Sequence, residues 1–351
     1  MNLVKFMEKE LWQNLKCTDK PIVLYGMGNG AEKILDTLEK FGIKAQGVFA
    51  SDGFVKNKIF RGFKVESYSE IKNRLEKMIV LVAFGSSRPE VIDNIKRISL
   101  EQELYVPDVP VYGGGLFDTN YLKENAEDIK YIYSLLCDDI SKKTFENLIY
   151  YRLSGKPEYL YSCEKSVDEA YESFLKLDAH ETFVDLGAYN GDTVNDFIIR
   201  VNGKYRKIYA IEPDEKSYKK LVLNTEKLSD ITCIYACVSD TDGTAQFSMR
   251  GGRNSSIGEG KEIKSITVDT LLSGKEATLI KYDVEGEEAA AIEGSKKTIL
   301  TWKPKLQIAA YHRTEDLLSI PKQILNTRSD YKIYLRHNPY LPAWDTNYFF
   351  I

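Results

Sequence analysis

Cysteine is sparse in this chain and follows no pattern. The five residues, Cys17, Cys137, Cys163, Cys233 and Cys237, are spread over 351 positions. An odd number without tight spacing is not a disulfide framework. Cys233 and Cys237 stand four apart in a predicted strand region and so point to one face. No second cysteine pair and no clustered histidines accompany them, which argues against a zinc site and leaves all five reduced and structural. Long apolar runs are missing as well, and nothing approaches the ~20 residues of a membrane span. The segment Met1-Asn-Leu-Val-Lys-Phe-Met-Glu-Lys-Glu10 has acids where a signal peptide needs an apolar run, so the cytoplasm is the expected location. A large charge of one sign is also absent: the net charge of −4 gives no hint of nucleic-acid or membrane-surface binding. What remains is 43% hydrophobic and 28% charged, the proportions of a globular enzyme, in a length that suggests two domains or a domain and a half.

The alternation of apolar runs with helical periodicity supplies the organisation. Leu3, Phe6, Met7, Leu11 and Leu15 fall at helical spacing over residues 1–20. Pro21-Ile-Val-Leu-Tyr25 reads as a buried strand, Gly26-Met-Gly-Asn-Gly-Ala31 as a glycine turn, and Ala31 to Phe41 as a helix. Strands at Lys44–Phe49, Gly62–Val65 and Met78–Ala83, with helices at Ser69–Lys77 and Ser87–Ile98, complete a small Rossmann-like domain over residues 1–112. The glycine-rich Val111-Tyr-Gly-Gly-Gly-Leu116 marks its boundary. A helical connector follows over 113–164, and a second domain over 165–351. The strands of this second domain are Thr182–Leu186, Lys207–Ile211, Thr232–Val238, Ala277–Tyr282, Lys305–Tyr311, Tyr331–Arg336 and Asn347–Ile351. Helices fit at Asp192–Val201, Lys216–Leu228, Glu287–Leu300 and Thr314–Leu325. Seven strands with a tight last link, His337–Thr346, fit the α/β sheet of class I methyltransferases, in which an antiparallel strand 7 inserts beside strand 5.

The stretch Phe183-Val-Asp-Leu-Gly-Ala-Tyr-Asn-Gly-Asp-Thr-Val194 carries the most information. It reads as strand, glycine turn and helix start, and the next strand ends in an acid, Ile208-Tyr-Ala-Ile-Glu-Pro213. This is the order of a nucleotide-binding βαβ unit. The dinucleotide fingerprint G-x-G-x-x-G needs its second glycine for backbone approach to a pyrophosphate. Here that position is Tyr189, and the next glycine is Gly191. The tyrosine argues against a pyrophosphate and is compatible with S-adenosylmethionine (SAM), which has a ribose and no phosphates. Glu212 is then expected to accept both ribose hydroxyls. The bland alternative is an ordinary glycine turn in a parallel sheet, disfavoured because turn and acid come in the right order.

Other strand ends should converge on the same ligand. The expected cofactor set is Asp185, Gly187, Ala188, Tyr189, Gly191, Asp192, Thr193, Glu212, Pro213, Val238, Ser239 and Asp283. In it, the amides at the helix start and the Thr193 hydroxyl bind the methionine carboxylate. Asp185 or Asp192 takes the ammonium, and the end of the third strand reads the adenine. Lys281-Tyr-Asp-Val-Glu-Gly-Glu-Glu288 and Tyr311-His312-Arg313 end the fourth and fifth strands. Acidic runs of this kind are usually solvated helix starts, and a lone histidine is more often structural. Their common location beside one cofactor raises both above that reading. His312 is the expected general base, because an imidazole near ~6.5 suits neutral pH. Asp283 and Glu285 are the alternative bases or orienting groups, and a divalent ion held by these three is compatible with their chemistry. Arg250, Arg253 and Tyr311 are candidate acceptor contacts. The first glycine turn, with Gly26, Gly28, Gly30 and Asp52, is a weaker second nucleotide site.

The second domain resembles the FkbM-type SAM-dependent methyltransferases over roughly residues 165–351. The resemblance rests on the Phe183–Thr193 stretch, Ile211-Glu-Pro213, Val238-Ser-Asp240, Val268-Asp-Thr-Leu271 and above all Ile280-Lys-Tyr-Asp-Val-Glu-Gly-Glu-Glu288. Glu293-Gly294, Lys303-Pro304 and Tyr311-His-Arg-Thr-Glu-Asp316 follow in order. Tyr282 departs from the family's more usual aliphatic residue, a change in packing. The resemblance implies the class I sheet and O-methylation, often of sugars or polyketides. The N-terminal part, through Tyr25-Gly-Met-Gly-Asn-Gly30 and Gly62-Phe-Lys-Val65, is similar to the small Rossmann-like domain that precedes some bacterial sugar acyltransferases, which can hold a nucleotide sugar. The expected partner is therefore a small, sugar-containing acceptor, with no nucleic acid and no membrane. An NAD-dependent sugar-modifying enzyme and a non-catalytic SAM-binding module are the rivals.

Overall fold

Ile22–Tyr25 and Ile79–Val82 are unbroken apolar runs, and every residue in both is buried. A strand covered on both faces needs such a run, and a parallel sheet needs crossover helices to cover it. The computed structural model, which describes residues 10–55, 58–248, 256–257 and 261–351, has that arrangement. Strands β1 (Ile22–Tyr25), β2 (Gly47–Ala50), β3 (Ile59–Phe60), β4 (Phe63–Ser67), β5 (Ile79–Val82) and β6 (Glu103–Tyr105) form one sheet in the order β3-β4-β2-β1-β5-β6. All its pairings are parallel except the β3–β4 hairpin. The helices Asn29–Lys40, Tyr68–Leu75 and Pro89–Glu101 cross between its strands. Ser67 starts the second of these with a full capping box, its side chain accepting from the Glu70 amide.

Helices follow from Thr119 to Ala170. The longest, Asp139–Ser154, is capped by the Asp138 side chain at its start and closed by left-handed Gly155. It packs against the far edge of the second large sheet. That sheet takes strands β7 (Thr182–Leu186), β8 (Lys207–Glu212) and β9 (Ile231–Tyr235). The chain then leaves it for a small sheet of β10 (Cys237–Val238), β11 (Gly243–Ser248), β12 (Ser256–Ile257) and β13 (Lys261–Ile266). It returns with β14 (Leu279–Tyr282), β15 (Lys305–Ala309), β16 (Ile333–His337) and β17 (Thr346–Phe350). The order is β16-β17-β15-β14-β7-β8-β9, with β17 antiparallel to both of its neighbours. This is the class I methyltransferase arrangement, preceded by the smaller α/β sheet.

Three expectations are corrected. The third strand does not run through to Val238, because the chain changes sheets at Ala236. Cys237 and Val238 pair with β13 instead of β8. Cys233 and Cys237 therefore belong to different sheets and share no face; the Cys233 thiol sits 3.4 Å from the Thr225 hydroxyl. The helix expected over Glu287–Leu300 is broken into Glu288–Glu293 and Lys296–Trp302. Gly294, at the break, lies so close to the next layer that a Cβ there would stand 2.1 Å from the Ser239 carbonyl oxygen. Asp269 caps the second piece by accepting from the Thr298 amide at 2.8 Å and the Lys297 amide at 3.0 Å. Last, the link between β16 and β17 does more than turn the chain. Leu341 exchanges two backbone hydrogen bonds with Ser86 of the first sheet, at 2.7 and 3.0 Å. Gly85 leaves room for the Trp344 ring, which a Cβ would meet at 2.4 Å.

The helical layer is fastened to β16 by a buried ion cluster. Arg336, 1% exposed, donates to Glu169 at 2.5 Å, to Asp138 at 2.6 Å and to the Ser141 hydroxyl at 2.8 Å. Removing one member of a buried pair leaves the other charge uncompensated, at a cost of about 3–5 kcal/mol. Arg336→Ala should therefore lower unfolding stability by about 3 kcal/mol, toward the lower end because both acids keep some solvent contact. Urea denaturation of the full chain reads this directly.

Candidate active site

The turn after β7 is shaped by three successive demands for left-handed backbone. Gly187 has φ +85°, Tyr189 φ +47° and Gly191 φ +87°. Gly187 has no alternative, since a Cβ there would lie 2.0 Å from the Asp283 carbonyl oxygen at the end of β14. Tyr189 is 44% exposed, and its amide donates to Glu212 at 2.8 Å. The helix Asp192–Arg200 then starts, but its first amides are already satisfied. Asn190 accepts from the Asp192 amide at 3.2 Å, and the Asp192 carboxylate accepts from the Thr193 amide at 2.9 Å. Two of the amides expected to bind a ligand carboxylate thus donate to the chain's own side chains in this structure.

Glu212 ends β8 almost fully buried, 6% exposed. Each of its oxygens takes one backbone amide, from Tyr189 at 2.8 Å and from Asp214 at 2.7 Å. A carboxylate has about four acceptor positions, so two are left for a ligand. Burial pushes Glu212 up to about 7, although both amides pull the other way. Asp185 is wholly buried, and burial raises it to about 6 against the pull of Lys281. Lys281 lies between two acids, 3.5 Å from Asp185 and 3.3 Å from Asp283. Asp283 is held below the usual carboxylate range: burial would raise it, but Lys281, His312 and the Tyr311 hydroxyl at 3.1 Å outweigh burial.

These groups face a cavity of about 700 Å³. Of the expected cofactor residues, Gly187, Tyr189, Asp192, Thr193, Glu212, Pro213, Val238 and Asp283 line it. Asp185, Ala188 and Gly191 lie behind the lining, and the Ser239 hydroxyl turns away to Asp240 at 3.1 Å. Acids outnumber lysines and arginines in the lining. Such a wall suits a ligand with a cationic centre and a ribose, and opposes a pyrophosphate.

His312 follows β15 and is 1% exposed. Its Nδ1 is 2.8 Å from Glu288, and its Nε2 stands 3.6 Å from Asp283 and 3.5 Å from Glu285. Burial alone would lower its proton affinity, but the three carboxylates raise it to about 10. The three carboxylates thus favour the protonated imidazole, in contrast to the neutrality expected from residue type alone. Glu285, half-buried on the cavity wall, moves the other way. Burial pushes it up to about 7, with His312 opposing. Among the described residues, no group of three or more His, Cys, Asp or Glu has an arrangement that could hold a metal ion.

The opposite wall comes from the first sheet and from the two links. Gly28, Asn29, Gly30 and Lys33 line the cavity, with Phe84, Gly85 and the link residues Val109–Val111 beside them. Tyr340, Trp344 and Asp345 of the β16–β17 link complete it. The first glycine turn is tightly built: Gly26 has φ +119°, and a Cβ on Gly30 would stand 2.5 Å from the Ala83 carbonyl oxygen. Asp52 opens the short helix Asp52–Val55. Tyr311 lines the cavity, whereas Arg250 and Arg253 lie outside the described residues.

Residues 185–332 match the family model described as the Methyltransferase FkbM domain. The chain carries an FkbM methyltransferase domain. Among solved structures, it is similar to a methyltransferase FkbM from Methylobacillus flagellatus KT, with 22% identity and a TM-score of 0.71 over 95% of this chain and 90% of that one. The likeness in fold thus takes in the first sheet as well as the second. Lower likenesses cover about half of this chain. One is an rRNA methylase from Streptococcus thermophilus, with 13% identity and a TM-score of 0.35 over 53% of this chain and 95% of that one. Another is fibrillarin from Aeropyrum pernix with natively bound S-adenosyl-L-methionine, at 12% and 0.33 over 50% and 69%. At that level they say nothing further about the ligand. No curated protein sequence matches the chain. No helix among the described residues is long and apolar enough to cross a membrane.

Residues 185–332 thus match a methyltransferase domain, and that family implies SAM. The FkbM motifs divide between two tasks. Asp269 and Gly294 serve the framework, while Lys281, Asp283, Glu285 and Glu288 serve the site. Lys281 and Glu288 stand in the quoted motif, and their place in one run with Asp283 and Glu285 was the available signal. Lys33, Phe84, Tyr112, Tyr340 and Trp344 had no such signal, because only folding brings them to the domain. Gly187→Ala should destabilise the protein by more than the ~1–3 kcal/mol of a left-handed non-glycine residue, because the carbonyl contact adds to the strain. A drop in melting temperature, with a matching loss at the cavity, checks it.

Proposed function

We propose that this protein transfers the methyl group of SAM to a hydroxyl of a small, sugar-type acceptor, with Glu285 as general base. The single observation that carries this reading is the sharing of one cavity wall by Glu212, which keeps open acceptor positions, Asp283, held acidic, and Glu285, raised to about 7. Glu212 offers two open acceptor positions to a ribose. The acidic lining suits a sulfonium, and the first glycine turn is left for the acceptor side. SAM, when bound, supplies an already activated methyl group, so the protein's work is alignment and removal of one proton.

A base works best when its proton affinity lies near the working pH. Glu285, at about 7, meets that condition. Asp283 is held too acidic to keep a proton and serves better as an acceptor that orients the hydroxyl. His312, as a cation, cannot take the proton. It holds Asp283, Glu285 and Glu288 together against their mutual repulsion. As the acceptor oxygen bonds to the methyl carbon, its proton passes to the Glu285 carboxylate. Phe84, Tyr340 and Trp344 offer apolar faces to the acceptor ring, beside Asp345. Residues 1–112 and 165–351, joined by 113–164, act as two domains that close one cleft.

Two measurements test this. Glu212→Ala should weaken SAM binding by about 10- to 100-fold, the loss of a charged hydrogen bond, in calorimetry of the full chain. Unchanged affinity removes the ribose assignment. In an assay of S-adenosylhomocysteine release across a panel of sugars and nucleotide sugars, wild-type turnover should fall as pH drops below about 7, where Glu285 takes up a proton. Glu285→Gln should lose about 10²–10⁴-fold in kcat at little cost in SAM affinity. Transfer at the normal rate by this variant, or none to any acceptor by the wild type, counts against the reading.

A further inference from the structure

Between β6 and the helix Thr119–Glu124 runs a link that sequence composition marks as a mere boundary. The fold makes it part of the site. Lys33 reaches from the helix Asn29–Lys40 to donate to the carbonyls of Pro110, at 2.8 Å, and of Val111. One residue on, the Tyr112 amide donates to the His312 carbonyl at 2.9 Å. Further along, the Gly115 carbonyl accepts from the Thr314 hydroxyl at 2.8 Å. The link is thereby stitched to the first sheet at one end and to the turn after β15 at the other.

Tyr112 lies at the centre of this seam. Its hydroxyl donates to the Glu285 carboxylate. Its ring covers Gly286 so closely that a Cβ there would stand 3.0 Å from three of the tyrosine's carbons. The ring also meets His312 edge to face at 6.0 Å. Glu285 and Gly286 both have left-handed backbone, φ +55° and +93°, so the turn that presents the carboxylate is a tight one. The aromatic ring packs it from outside the cavity. Tyr112 itself is not in the cavity lining, whereas Glu285 is.

We propose that Tyr112 is a positioning residue, which holds the Glu285 carboxylate at the cavity wall where it can receive the acceptor's proton. The proposal rests on the reading of Glu285 as base. The groups that face Glu285 come from every neighbouring element: Asp283 from the end of β14, Glu288 from the following helix, His312 from the turn after β15, and Tyr112 from the link. Burial pushes Glu285 up, His312 opposes, Asp283 and Glu288 add to the rise, and the Tyr112 hydroxyl draws it down. Loss of that donor should therefore move the carboxylate to a still higher proton affinity. The first sheet thus acts on the chemistry of the second through the link.

The experiment reads Glu285 directly. The full chain is labelled with carboxyl-¹³C glutamate and titrated by NMR, and the Glu285 resonance is assigned by its loss in Glu285→Gln. In Tyr112→Phe, which keeps the ring over Gly286, the titration midpoint should rise by about one pH unit. A more acidic phenol, fluorotyrosine incorporated at position 112, should lower it. In the methyl-transfer assay, the acid limb of kcat should move with the midpoint in Tyr112→Phe while the KM for SAM holds. A midpoint that stays put in both variants overturns the proposal, even if the melting temperature falls, because a merely structural tyrosine predicts that result. The titration needs no acceptor. A midpoint that moves without any methyl transfer upholds the positioning role and counts against the base assignment, so the two readings fail separately.

Discussion

The backbone at Gly187 comes so near the end of β14 that a Cβ there would stand 2.0 Å from the Asp283 carbonyl oxygen. That approach sets the site. It lets β7 and β14 end side by side, with Asp185 opposite Lys281 in register. It also turns the chain toward the Glu212 carboxylate that takes the Tyr189 amide. A larger residue would force the strand ends apart and separate the Glu212 carboxylate from the acids at Asp283 and Glu285. The positive φ values at 187, 189 and 191 are the backbone form of that constraint.

Once the strand ends are close, the site must contend with its own acids. Asp185, Asp283, Glu285 and Glu288 crowd around two cations, Lys281 and His312, in a partly desolvated space. In low dielectric each charge is felt strongly by its neighbours. The cations do not share their influence evenly. Lys281, paired with Asp185 across β7 and β14, lies between Asp185 and Asp283, and helps to hold Asp283 below the usual carboxylate range. His312 lies among Asp283, Glu285 and Glu288, and is itself held protonated. Glu285 is left near neutrality, because burial outweighs the opposing pull of His312 at 3.5 Å. Different proton affinities for neighbouring carboxylates therefore follow from where two cations sit, without any special residue.

Much of this was legible in the chain. The alternation of apolar runs and helical stretches read correctly as two α/β sheets, and the seven-stranded order with its antiparallel last strand followed from strand count and the final link. The turn at 187–191 and the acid at 212 were legible because backbone conformation restricts residue type so sharply there. The small sheet of β10–β13 was not. Its strands are short, and one pairing partner of β10 comes nearly thirty residues later, so no local pattern marks it. The break at Gly294 was missed for a similar reason: the close contact with the Ser239 carbonyl that demands the glycine comes from a distant segment.

The histidine shows the limit most clearly. Residue type alone makes His312 a base near neutrality, whereas proton affinity is a property of surroundings. Three carboxylates from β14 and the helix after it reverse the effect of burial. The same holds for Tyr112, which in sequence is one residue of a glycine-rich boundary. The sequence by itself determined which segments are strands, where the backbone must turn left-handed, and which acids end the strands, because these are local consequences of side-chain size and apolar period. Only the tertiary structure decided which acids are raised toward neutrality, that the first sheet and both links wall the cavity, and that a linker tyrosine lies against Glu285. Those outcomes depend on distances between segments far apart in the chain, and Coulomb forces, desolvation and packing act through distance in space.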